Sequence, residues 1–145
     1  MPTVIVLTPI LLTVLFVSAM IKRYLDEYVP VRVIMRHEGG KARLIIETKK
    51  KREDIIVRSF EPKDHREVLR WRINGLGFGR YRLGEYKGDY GSVLSYAVSD
   101  TGLLITDASG KRYYLAIDNV GEVAHALEDP AKKEAVIEVR KERHR

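Results

Sequence analysis

The chain of 145 residues has no cysteine and no glutamine, two asparagines (Asn74 and Asn119) and a single tryptophan, Trp71. Without cysteine there is no disulfide, no thiolate nucleophile and no zinc–thiolate site. Scarce amides beside abundant Glu, Lys and Arg are a bias of proteins that work at high temperature, so a thermophilic source is expected. The four histidines, His37, His65, His125 and His144, never recur at the spacing that puts two ligands on one helix face, and no metal is expected. No Gly-x-Ser-x-Gly elbow occurs and no pair of carboxylates stands apart, so the sequence predicts neither catalytic residues nor a cofactor, and an enzyme ranks third among the function classes.

Charge is not lacking. Charged residues make up 32% of the chain and the formal net charge is +6, which fits a folded, moderately basic domain that tolerates anionic partners without requiring them. One apolar leader takes up the start of the chain, and what remains suffices for one domain with a core.

From Val4 to Ile21 the sequence VIVLTPILLTVLFVSAMI carries no charge, and 18 residues of helix rise about 27 Å, close to a bilayer core of roughly 30 Å. Pro9 is tolerable in a spanning helix. A cleaved signal peptide would want Lys or Arg before the run; here both Lys22 and Arg23 follow it. The basic flank predicts a single pass through the cell membrane, N-terminus outside and the following domain cytoplasmic. Residues 1–23 are thus expected to be a transmembrane anchor, residues 24–130 a domain and residues 131–145 a charged tail.

Within the domain, Pro30 to His37 and Ala42 to Thr48 flank Gly39-Gly40 and predict a hairpin. Further strands are expected at Ile55 to Arg58, Val68 to Ile73, Ser92 to Ser99, Gly102 to Asp107 and Lys111 to Ile117, with a loop at Glu61 to Asp64. The glycine-rich stretch Asn74 to Gly91 has no helix behind it, so it predicts bulges and sharp bends rather than a phosphate loop. Val120, Val123, Ala124 and Leu127 fall at helical spacing after Asp118-Asn119 and predict one closing helix ending by Pro130. In the tail, AVIEVR reads equally as a strand or a helical extension.

The glycine-aromatic run Arg72-x-Asn74-Gly75-x-Gly77-x-Gly79-x-Tyr81-x-x-Gly84-x-Tyr86, then Gly91-x-Val93, Tyr96-Ala97-Val98 and Gly110-Lys111-x-Tyr113-Tyr114-Leu115 before a capped helix, resembles the bacterial and archaeal pleckstrin-homology-like (PH-like) domain family found beside membrane helices. The resemblance covers about Ile55 to Leu127 and implies a mainly β, PH-like barrel with one closing helix behind the transmembrane anchor. The chain departs from the family in having one membrane helix rather than several, and Ile117-Asp118-Asn119 in place of Ser-Pro before the helix. The resemblance implies no activity.

The expected function is a membrane-anchored interaction module that binds a protein partner by strand addition at an open sheet edge beside the closing helix. The alternative is docking of a basic face on anionic lipid headgroups. Candidate contact residues for lipid or partner are Lys49, Lys50, Lys51 and Arg52 in one strand connection, and Arg80 and Arg82 among aromatic residues. Nucleic acid is not expected for a tethered domain.

Overall fold

The computed structural model describes residues 2–129 and 131–139. Helix α1 spans Pro2–Tyr28. Strands β1 (Arg32–Glu38), β2 (Lys41–Glu47) and β3 (Arg52–Asp64) follow, then a short helix α2 (His65–Val68). Next come β4 (Trp71–Phe78), β5 (Tyr81–Gly88), β6 (Gly91–Ala97), β7 (Thr101–Asp107) and β8 (Arg112–Ala116), helix α3 (Val120–Glu128) and β9 (Glu134–Glu138).

The strands form one sheet in the order β4-β5-β6-β8-β7-β3-β2-β1-β9. All pairs are antiparallel except β6 with β8. The expected closure into a barrel does not occur: among the described residues β4 pairs only with β5 and β9 only with β1, so the sheet ends in two edges. The reason lies partly in the segment expected as a charged tail. Its residues Glu134–Glu138 are a strand that takes the place beside β1, in register with Arg32 to Arg36. Residues 140–145 of that tail, and Pro130, lie outside the described residues.

Strand β3 organises the sheet. Its first half, Arg52–Val57, pairs with β2, and after a bulge between Val57 and Ser59 its second half pairs with β7. The loop expected at Glu61 to Asp64 is therefore strand. Pro62 fits there because β2 reaches only as far as Val57, leaving the other edge of β3 without a neighbouring strand. The bulge bends the sheet, so that β1, β2 and the first half of β3 face β6, β8 and β7 across a common core. Val33, Met35, Leu44, Ile46 and Ile55 meet Tyr96, Leu103, Ile105, Tyr113 and Leu115 there, and α3 closes one side with Val123, Ala126 and Leu127. Glu53 reaches across to the hydroxyls of Tyr96 and Tyr113, both of which burial drives far above the usual tyrosine range. On the opposite face Val68, Leu69, Tyr86, Val93, Leu104 and Tyr114 form a smaller cluster beneath α2.

Two expectations within the middle of the chain change accordingly. Val68 to Ile73 is not a strand throughout: Asp64 accepts from Arg66 N at 2.9 Å and caps the single turn α2, which places Val68 and Leu69 in the smaller cluster. The glycine-rich stretch, for its part, is mostly regular hairpin. Its bulge is at Ile73, and its tightest point is where Gly75 lies opposite Gly84. A Cβ on Gly75 would sit 2.2 Å from Leu83 O; one on Gly84 would sit 2.6 Å from Asn74 O, at a φ of +103°.

Gly84→Ala should therefore lower stability by roughly 2 kcal/mol or more, combining backbone overlap with a left-handed φ. Gly121→Ala in α3 meets open space, and its expected effect runs from neutral to about 1 kcal/mol stabilising. Urea unfolding of the two variants beside the parent protein checks both signs.

Candidate functional site

Three surfaces carry the residues that matter, and the first is where α1 enters the domain. The helix does not stop at the end of the apolar run but continues unbroken to Tyr28, whose ring packs against Tyr96 with centroids 5.5 Å apart. Asp26, 7% exposed, receives Lys22 at 3.0 Å one turn back along the helix. Lys49 and Lys50 approach the same carboxylate at 3.9 and 3.8 Å, and Lys51 approaches Glu27 at 3.8 Å. The backbone joins in: Lys50 N donates to Asp26 O, satisfying a carbonyl in the last turn of the helix. Thr48 fixes the turn itself, its Oγ1 accepting from Lys51 N at 2.9 Å. The basic run of the β2–β3 connection is thus a clamp on the last turns of α1. Five cations (Lys22, Arg23, Lys49, Lys50 and Lys51) surround two carboxylates, so the junction keeps a positive surplus. Arg52 turns away to Glu47 on β2.

Arg80 and Arg82 are not on this surface. Arg80 binds Asp118 at 2.6 Å and Ser99 at 3.2 Å, and Arg82 binds Asp100 at 3.1 Å, so both hold the β4–β5 hairpin to the β6–β7 turn and to the start of α3. The structure does not bring them together with Lys49 to Arg52.

The second surface is the edge of β9. Backbone bonds from His37 N to Lys133 O and from Val139 N to Val31 O fix the alternation along the strand. The N–H and C=O groups of Glu134 and Val136 consequently point outward. Glu138 O is taken by Asn119 Nδ2 at 2.9 Å. Between this edge and α3 runs an open groove of about 530 Å³ lined by Gly121, Glu122, His125, Ala126, Lys132 and Val136, among others. Opposite charges stitch β9 in place: Arg32 meets Glu138 at 2.9 Å and Arg36 meets Glu134 at 3.6 Å, each directly across the ladder.

The third is the edge of β4, where Trp71, Ile73 and Phe78 are 61%, 55% and 75% exposed. An open cleft of about 430 Å³ separates it from α1, lined by Val17, Met20, Ile21 and Tyr24 on the helix and by Arg72 to Leu76 on the strand. Tyr24 donates to Asn74 Oδ1 at 2.6 Å across its end.

Among the histidines, His37 and His65 donate from Nδ1 to the carbonyls of Lys132 and Asp100, at 2.7 and 2.8 Å. His125 lines the α3 groove and His144 lies outside the described residues. No group of three or more His, Asp or Glu among the described residues is placed to hold a metal ion.

No protein-family model, curated protein or solved structure matches the chain.

Sequence reasoning missed Asp26 and left β9 undecided between a strand and a helical extension. A signal for the second was present: Arg32 and Arg36 in one segment and Glu134 and Glu138 in another share a spacing of four, which is what two antiparallel strands with paired charges display. For Asp26 the local signal was only its spacing of four from Lys22; Lys49 and Lys50 arrive from a turn more than twenty residues away.

Removing the carboxylate with Asp26→Ala leaves Lys22, Lys49 and Lys50 repelling one another around the helix end. The amides of Lys50 and Lys51 should then exchange with deuterium faster than in the parent chain, while amides of the β7–β8 ladder keep their protection.

Proposed function

We propose that the chain is a membrane-anchored interaction module whose strand-rich domain, held at the membrane surface by α1, receives an extended protein segment at the edge of β9. The observation that carries this reading is the pair of outward backbone groups at Glu134 and Val136 beside the α3 groove. A partner strand would gain main-chain hydrogen bonds on one side and side-chain pockets on the other.

Anchoring rests on α1. Leu7, Ile10, Leu11, Leu12, Leu15 and Phe16 are each at least half exposed, and nothing among the described residues covers them. Left in water, side chains of this kind would cost on the order of 10 kcal/mol together, comparable with the stability of a whole domain. The helix is long and apolar enough to cross a membrane. The hydroxyl of Thr13 is satisfied internally by Pro9 O at 2.8 Å, as an apolar surrounding demands. Lys22 and Arg23 at its end support a cytoplasmic position for the domain in this reading.

A second reading, docking on anionic headgroups, is favoured by the positive surplus at the α1 junction, with Lys49, Lys50 and Lys51 as its contacts. The support for a PH-like ancestry of the domain is limited to the succession of strands β1 to β8 followed by α3, with β9 added after the helix. The open sheet and the parallel β6–β8 pair depart from it, and the proposed function is argued without it.

Val136→Pro tests the first reading, because it removes an outward donor and no bond to β1. With the full chain in native membranes, a photo-crosslinker at Val136 should give a discrete protein adduct. The purified partner should then bind the parent chain and lose roughly tenfold in affinity or more toward Val136→Pro at unchanged melting temperature. Equal binding by the variant would end the strand-addition reading. Charge reversal at Lys49, Lys50 and Lys51 should leave that affinity unchanged; headgroup docking requires instead that the same reversal abolish a salt-sensitive association of the domain with anionic vesicles.

A further inference from the structure

The contacts of α1 trace a path across the sheet. Tyr28 lies against Tyr96 on β6, and it borders a cleft shared with Glu85 on β5 and Asn74 on β4. One turn earlier Tyr24 bonds Asn74, and Ile21, Met20 and Val17 then lie beside Arg72 to Leu76. Stepping from strand to strand, the helix runs across the strand direction rather than along it. From Tyr24 to Val17 it advances about 10 Å, roughly two strand spacings, with no strand beyond β4 to meet it. The apolar run therefore leaves the domain over the β4 edge. If that run enters a bilayer, as the reading above holds, β4 is the part of the sheet nearest the bilayer and lies along its surface.

The edge is built for that place. Trp71, Ile73 and Phe78 expose large apolar side chains along its length, and Tyr81 adds a ring at the hairpin tip. Trp and Tyr concentrate at the level of lipid headgroups, where an apolar body and a polar tip are both accommodated. Arg72, on the same edge, shares the face of Tyr86 and has no carboxylate partner among the described residues, and Lys22 and Arg23 lie at the domain end of the apolar run. The bulge at Ile73 breaks the regular backbone spacing another strand would need, which disfavours pairing with a second sheet. The unpaired backbone groups of the edge set a limit on depth, since they need water or headgroup partners and cannot enter the hydrocarbon.

We infer that strand β4 is a second membrane-contacting element, lying in the headgroup layer of the bilayer that α1 enters, with Trp71, Ile73 and Phe78 inserted toward the acyl boundary and Arg72 among the phosphates. This inference rests on the anchor reading of α1, and the two can fail separately.

Trp71, the only tryptophan, reports directly. The full chain is reconstituted into vesicles of phosphatidylcholine and phosphatidylglycerol, with and without acyl chains brominated near the carbonyl. Trp71 emission should be blue-shifted and quenched by the shallow bromines, more than by bromines near the chain ends. A parallel chain carrying Trp71→Phe and Phe16→Trp moves the reporter into the apolar run. Quenching of that reporter with water-like, unquenched Trp71 emission would mean an inserted helix and an edge away from the lipid, overturning the inference alone. No quenching of either would overturn the anchor and the inference with it. A blue shift without quenching that grows with protein-to-lipid ratio would assign the edge to a second copy of the chain, which also overturns it.

Discussion

Everything in this molecule depends on how one rigid helix is fixed into the sheet. The apolar run and the domain are not joined by a linker: α1 is continuous to Tyr28, so its last turn transmits orientation as well as proximity. Two kinds of contact hold that turn. Tyr28 brings apolar area to the main core through Tyr96, and the Thr48 to Lys51 turn brings a backbone hydrogen bond and three lysines to Asp26 and Glu27. Individual exposed ion pairs contribute little. Several charges converging on a nearly buried carboxylate, backed by a main-chain bond to the same residue, act together and fix the direction of the helix relative to the sheet.

The bend in β3 makes that grip possible. The β2–β3 turn and the β6 strand lie far apart in the order of the sheet, yet both touch the last turn of α1. Only a sheet folded at the bulge after Val57 brings them together. The same bend encloses the main core and leaves room for α3 on its remaining side, so packing and helix attachment follow from one irregularity in one strand.

Much of this was legible in the chain because its signals were local. The apolar run, the Gly39-Gly40 hairpin, strands β6 to β8 and the helical spacing of Val120, Val123 and Leu127 each need only a few neighbouring residues to be recognised, and each forms where expected. What was not legible depended on partners distant in sequence. Pro62 reads as a loop until β7 is known to pair with it; Val68, by contrast, reads as strand against a local signal, the cap that Asp64 places on α2. Lys49 to Lys51 read as a free basic patch until Asp26 arrives from the other end of the structure. Closure of the sheet failed for a related reason: whether the two end strands, β4 and β9, meet is decided by register and bending, which alternation within a strand does not encode.

The two edges of the sheet are not equivalent, and their chemistry separates them. On β9 the outward residues are Glu134, Val136 and Glu138, its ladder is unbroken, and a groove runs alongside; such an edge favours an ordered strand carrying its own complementary charge. On β4 the residues are aromatic, aliphatic and cationic, and the ladder is interrupted at Ile73, which favours a surface that makes no demand on backbone register. A lipid headgroup layer is such a surface, and a protein strand is not. Under the proposed reading the helix direction settles which edge meets which: α1 departs over β4, so the edge unsuited to strand addition is turned to the bilayer and the edge suited to it is left toward the aqueous side. A module of this kind would offer its strand-binding edge in one fixed orientation to the membrane, because the element that anchors the chain is also the element that orients the sheet.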